Sequence, residues 1–260
     1  TLTVEQVPFF EEHGYLLVGK ILTDEELETL RERADWIASA EDVPHIPPQY
    51  RQTEPRVARG VLDSDNAMLS LRKIWHLAWY DEVMAAHARN PQITERIAAL
   101  IGPDLKLYQD QLFMKPPRVG SRQPYHQDQP LGFHIDPPHL MVTCWTALDD
   151  ATLENGCLRV IPGTHRKGVL PATAIDEYEQ QALNHSLVRE VPLPLKAGEC
   201  SFHHGHLLHS SYPNLSQQRR RGYATHYVSA RCRYAGEAAG VDFPPEGFLS
   251  VRGRAFPRCL

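Results

Sequence analysis

The sequence predicts a mainly β protein, a sandwich or barrel with helices on its N-terminal side. Short apolar runs alternate with turn signals from Leu105 onward, helical periodicity is confined to the residues before Gly102, and 260 residues suit a single β domain. The first predicted helix is Asp24–Ala40. Thr23 stands at its cap, Glu26 three residues on completes a capping box, and Leu27, Leu30 and Ala34 mark one face. A second is predicted over Asp81–Ile101, stopped by Gly102–Pro103. Between them Glu41–Ala58 is rich in proline and polar residues and reads as a loop, part of a mouth or lid.

Strands are predicted at Leu105–Met114, Leu140–Leu148, Cys157–Ile161, Ser186–Val191, Cys200–His203 and Gly222–Ala230. Leu153–Cys157 contains Asn155–Gly156, a hairpin signal because both residue types tolerate positive φ. There is no internal repeat. The chain thus reads as one domain over residues 1–260, helical to about 104 and β from about 105 to 232.

Composition narrows the function. With 42% hydrophobic and 23% charged residues and a mean hydropathy of −0.40, the chain has ample material for a core. A net charge of −5 and no basic run longer than Arg219–Arg221 argue against a nucleic-acid surface. No apolar segment approaches the ~20 residues of a membrane span, and no signal-peptide pattern is present, so the cytoplasm is the expected compartment. The cysteines, Cys144, Cys157, Cys200, Cys232 and Cys259, are scattered and read as reduced thiols.

The chemistry lies in the histidines. His126–Gln127–Asp128 and His134–Ile135–Asp136 each offer an imidazole and a carboxylate two residues apart, on one face of a strand. A distant histidine would complete two histidines and one carboxylate, leaving the open positions iron(II) needs for a cosubstrate and dioxygen. His203, His204, His206 and His209 are all candidates, and strand alternation does not choose among them. Arg219, Arg220 and Arg221 follow His209 by 10, 11 and 12 residues, after a turn at Tyr212–Asn214. An arginine there can fork two hydrogen bonds onto a keto-acid carboxylate.

Several motifs run together in order: Lys115–Pro117, His126–Asp128, Trp145–Asp150, Glu154–Leu158, Ile161–His165, and His209–Ser216 followed by Arg220. With the opening Phe10–Leu16, they resemble the phytanoyl-CoA dioxygenase family of iron(II)/2-oxoglutarate oxygenases. The resemblance implies a double-stranded β-helix, a cupin-like jelly-roll barrel with flanking helices. It implies iron(II) held by His126, Asp128 and His209, with 2-oxoglutarate as cosubstrate and O2 as oxidant. It further implies that Arg220 and Ser211 hold the cosubstrate carboxylate and that Gln111, Gln127, Trp145 and Lys73 line its pocket.

His134 and Asp136, just beyond the metal strand, are candidate substrate contacts. His203, His204 and His206 then read as barrel or rim residues, Lys115 as part of a proline turn, and Arg56, Arg59 and Arg72 as solvated charge. The implied reaction oxidises a small metabolite with release of succinate and CO2, by hydroxylation, cyclisation, desaturation or epimerisation. An aspartate at position 128 argues against halogenation, for which the carboxylate is absent. The expected partners are a small-molecule substrate and, at most, a second copy of the chain. Two other readings are a cupin-type metalloenzyme without a keto-acid, which has no need of Arg220, and a non-catalytic jelly-roll binding protein, in which an intact His, Asp, His and Arg set is unexplained.

Overall fold

The computed structural model describes residues 1–39, 46–61, 66–129, 135–137, 140–234, 247–257 and 259. The chain opens with α1 (Gln6–His13), which ends at Gly14 with φ +80 and turns into β1 (Tyr15–Lys20). Next comes α2 (Asp24–Ser39), whose capping box forms in both directions. Thr23 N donates to Glu26 Oε2 at 2.8 Å and Glu26 N donates to Thr23 Oγ1 at 3.1 Å. Leu27, Leu30 and Ala34 are buried, as their spacing predicts.

The expected loop over Glu41–Ala58 is largely ordered where it is described. It holds a 3-10 turn at Pro48–Tyr50, β2 (Arg51–Thr53) and α3 (Pro55–Ala58). Then α4 (Ala67–Ser70) leads into β3 (Leu71–Trp75). The expected helix over Asp81–Ile101 is two helices, α5 (Glu82–Ala88) and α6 (Pro91–Ile101). Pro91 cannot donate to the preceding turn, so Asn90 restarts the helix by accepting from Gln92 N at 2.8 Å. Among the described residues, the first 104 therefore carry three strands as well as helices.

The β region follows as β4 (Leu105–Lys115), β5 (Gln123–His126), β6 (Ile135–Asp136), β7 (Met141–Ala147) and β8 (Leu158–Val160). After α7 (Ala172–Leu183) come β9 (Val191–Leu193), β10 (Glu199–His204), β11 (His209–Ser211), β12 (Arg220–Ser229), β13 (Arg233–Tyr234) and β14 (Leu249–Arg252). The strand expected at Ser186–Val191 starts later, at Val191. Asn155–Gly156 does form a turn, with Gly156 at φ +84, but not a hairpin. Its flanking strands belong to different sheets, so the turn carries the chain across the molecule.

One antiparallel sheet runs β1-β10-β7-β12-β4-β3-β2, with β14 also on β4, and a four-stranded sheet runs β5-β11-β8-β9. No ladder among the described residues joins these two sheets, so the jelly roll is an open double sheet rather than the closed barrel expected. Helices α2, α5 and α6 cover the outer face of the large sheet. Ile37, Ile93 and Ile97 pack there against Ile74, Leu112, Val142, Phe202 and Tyr227. Ala147, Leu158, Val160, Leu193 and Leu207 fill part of the space between the sheets. On the far side Ile175 and Tyr178 of α7 pack on Tyr125, Ile161 and Leu208 of the small sheet. Burying both faces of the large sheet explains why β7 and β12 are buried along their whole length.

Candidate active site

A cavity of about 390 Å³ opens between the two sheets. Its wall on the large sheet is organised in rows, because pairing register brings equivalent residues of neighbouring strands side by side. One row is His203, Thr143, His226 and Gln109; the next contains Trp145, Ala224, Gln111 and Trp75. Beyond them lie Phe113 with Lys73, and then Arg220. A bulge on β4 inserts Tyr108 between the register pairs made by Leu107 and Gln109, so Tyr108 and Gln109 both reach the cavity where strict alternation would admit one.

The small sheet supplies the opposite wall. His126 pairs with His209 across β5 and β11, their rings 4.2 Å apart, and Ser211 lies one pair further along. His126 Nδ1 faces Pro124 O at 2.9 Å and His209 Nδ1 faces Leu207 O at 3.0 Å. A carbonyl only accepts, so both rings carry their proton on Nδ1 and present a free Nε2. Asp128 follows the end of β5, and His126, Asp128 and His209 bring ligand atoms within 4.8 Å of one another. Among the described residues no other group of histidines, cysteines and carboxylates does so.

Electrostatics suit a cation. Burial pushes the Asp128 carboxyl up, yet His209, His226 and His203 together outweigh it and hold it well below the usual carboxylate range. Burial, reinforced by His126, holds His209 well below its ordinary value, so its ring stays neutral and its lone pair available.

The other end of the cavity is set by Arg220, only 2% exposed. Its Nη2 donates to Gly156 O at 3.1 Å, and its guanidinium lies 5.2 Å over the Trp145 ring. Trp145 can lie flat there because Gly222 has no side chain: a Cβ would come within 2.1 Å of the indole. Among the described residues no carboxylate bonds to Arg220 and its Nε has no partner. Burial pulls the guanidinium down to about 10. Its neighbours differ: Arg219 grips Asp35, and Arg221 grips both Asp149 and Asp35.

Of the other residues singled out from sequence, Ser211, Gln111, Trp145 and Lys73 line the cavity. Lys73 Nζ donates to Gln111 Oε1 at 3.3 Å, and burial, reinforced by Arg72, lowers its pKa against the opposing pull of Asp128. Gln127 borders the cavity, but its amide is committed elsewhere: it donates to Gly168 O and His206 O and accepts from Leu170 N. Asp136 is exposed on the β6–β13 pair and does not border the cavity; His134 lies outside the described residues. Lys115 braces a turn, donating to Ser121 O and Tyr212 O at 2.6 and 2.7 Å. Arg72, read as solvated, is instead 9% exposed and bonds Gln123 Oε1 at 2.6 Å.

Sequence reasoning set His203 aside as a barrel or rim residue and missed Thr143 and His226; all three surround Asp128. The signal was present in β12, where Arg220, Gly222, Ala224 and His226 share a face by alternation.

Comparison with known proteins agrees with this architecture. The family model for phytanoyl-CoA dioxygenase (PhyH) matches residues 10–222. Rat peroxisomal phytanoyl-CoA dioxygenase is 29% identical over 245 residues, covering 90% of this chain and 70% of the relative. Phytanoyl-CoA dioxygenase 1 of Oryza sativa subsp. japonica is 29% identical over 254 residues, covering 88% and 89%. Among solved structures, EctD from S. alaskensis with 2-oxoglutarate and 5-hydroxyectoine superposes with a TM-score of 0.76 at 22% identity, covering 100% of this chain and 86% of that one. The carbocyclase SnoK from nogalamycin biosynthesis gives 0.73 at 20% identity, covering 96% and 97%; both share the fold. The chain belongs to the phytanoyl-CoA dioxygenase family of iron(II)- and 2-oxoglutarate-dependent oxygenases, and is an oxidoreductase. Among the described residues no helix is long and apolar enough to cross a membrane.

Proposed function

We propose that His126 Nε2, His209 Nε2 and Asp128 bind iron(II), and that Arg220 with Ser211 binds the far carboxylate of 2-oxoglutarate. The observation that carries this reading is Arg220, a buried guanidinium facing the cavity with no carboxylate among the described residues to neutralise it. An uncompensated buried charge costs several kcal/mol, and a bound dianion removes that cost. When bound, iron(II) with 2-oxoglutarate and O2 supplies the oxidising power, and the keto-acid leaves as succinate and CO2.

The chain's own residues orient and enclose. Trp145 lies against Arg220 and helps keep water from the guanidinium, which strengthens its hold on a carboxylate. Gln111 and Lys73 border the same space. Toward the other end, Trp75, Tyr108, Gln109 and Thr143 offer aromatic walls with a few hydrogen-bonding groups.

The substrate we infer is a free small metabolite or natural-product intermediate bearing hydroxyl or carbonyl groups, with hydroxylation as the outcome. Lys73 and Arg220 are the only lysine and arginine among the described lining residues, so a nucleotide-tailed thioester finds no basic platform there.

The test is spectroscopic. Oxygen-free protein given iron(II) and then 2-oxoglutarate is expected to develop a weak visible charge-transfer band. The band should vanish in Asp128→Ala and weaken in Arg220→Ala. Iron binding without any band overturns the keto-acid reading and favours a metalloenzyme that does without it. Candidate substrates are then ranked by how strongly they stimulate succinate release.

A further inference from the structure

The two oxygens of Asp128 sit in different surroundings. Oδ2 accepts from Thr143 Oγ1 at 2.6 Å and faces His203 Nε2 at 2.8 Å. Oδ1 accepts no hydrogen bond among the described residues and faces His209 Nε2 at 3.5 Å. The donors come from neighbouring strands, since His203, Thr143 and His226 stand side by side across β10, β7 and β12.

The direction of each bond is forced. A carboxylate with its proton lost only accepts, so the single Thr143 hydroxyl proton points at Asp128. That hydroxyl can then only accept from His226 Nδ1, 2.8 Å away. His226 Nε2 in turn faces Gln111 Nε2 in a long contact of 3.4 Å, and Gln111 Oε1 accepts from Lys73. Donors therefore run in one direction from the cavity wall to the carboxylate.

We infer that His203, Thr143 and His226 are positioning residues of the metal centre, occupying Asp128 Oδ2 so that Oδ1 alone is offered to the metal. The inference rests on the reading that Asp128 is a metal ligand. Its chemical sense is a count of positions. Two histidines and a single carboxylate oxygen occupy three of six places on iron(II), leaving two for a chelating keto-acid and one for dioxygen. A carboxylate bound through both oxygens would take the place dioxygen needs. Occupying Oδ2 with two donors prevents that, and it also fixes the carboxylate plane before any metal arrives.

The test uses Mn(II) as the probe, with affinity and line shape read by electron paramagnetic resonance on the whole chain. Thr143→Val keeps the shape of the side chain and removes both hydrogen bonds. It is expected to weaken Mn(II) binding about tenfold or more and to alter the bound-ion spectrum. Thr143→Ser is expected to restore both, and His203→Phe, on a different strand, to weaken binding to a similar degree. Thermal melting of each variant separates this effect from loss of fold, and His203→Phe decides the question if Thr143→Val does not fold. Binding within twofold of wild type and an unchanged spectrum in both Thr143→Val and His203→Phe overturn the inference. If Asp128→Ala itself binds Mn(II) as tightly as wild type, the ligand reading fails first and takes the inference with it.

Discussion

Arg220 and Arg221 are adjacent on β12 and almost equally buried, at 2% and 3% exposed, yet their situations are opposite. Arg221 points to the outer face of the large sheet, where Asp149 meets it from β7's end and Asp35 from α2. Arg220 points to the inner face and meets a carbonyl and an indole. Outward, Arg221 is closed into ion pairs with Asp35 and Asp149. Inward, Arg220 has no carboxylate partner among the described residues, and in the proposed function it takes that of the cosubstrate. Burial alone therefore does not distinguish a structural arginine from a binding one; the identity of the partner does.

Replacing each arginine with methionine, similar in length and uncharged, breaks this comparison most directly. Arg220→Met is expected to lower 2-oxoglutarate affinity at least 100-fold, a loss of about 3 kcal/mol or more, without lowering the melting temperature. Calorimetry with Mn(II)-loaded protein measures the first and a thermal scan the second. A melting temperature that falls sharply would place Arg220 among the structural pairs after all. Arg221→Met is expected to do the reverse, costing about 3 kcal/mol of stability because Asp149 loses its partner. Its effect on 2-oxoglutarate affinity should stay within threefold, as read by the same titration.

A histidine sharpens the contrast with a smaller effect. His87 lies on the outer side, with Nε2 3.1 Å from Thr146 Oγ1, and burial pulls it from 6.5 to about 4. As pH falls below 6.5 the unfolded chain takes up this proton before the folded one does. The neutral ring's contribution is thus complete above pH 6.5 and lost progressively toward pH 4. Between pH 7.5 and 4.5 the loss is roughly 2 to 3 kcal/mol. Urea melts at the two pH values should show that much less acid sensitivity in His87→Gln. An unchanged difference would mean that His87 is protonated in the folded chain.

The same contrast explains what could be read from the sequence. Elements governed by local rules were legible: the Thr23–Glu26 capping box, the buried stripe of α2, and the alternating strands β4, β7 and β12. His126, Asp128, His209 and Arg220 were singled out because their spacing and neighbouring motifs carry a resemblance, and they meet in one cavity. The residues around Asp128 were not legible. Residue 203 belongs to the site only because β10 lies beside β7 in a register that sets it against Thr143. Tyr108 depends on a bulge that no local pattern announces. The break at Asn90–Pro91 was legible and overlooked: apolar residues on both sides concealed a proline that ends one helix and begins the next. The short strands β2 and β3 form through pairing with each other and with β4, and their composition alone does not call for them.

Along β12 the cavity-facing positions run from Arg220 to His226, six residues and roughly 20 Å of extended chain. Backbone ladders to β4 and β7 on either side hold this spacing whatever the side chains are. Natural selection can therefore rework one end of the cavity while the other stays intact. On the proposed reading, new side chains at Tyr108 or Gln109 would alter what the far end accepts, while the arginine end keeps its shape. A row-by-row lattice of this kind lets one end change its side chains with no need to rebuild the frame.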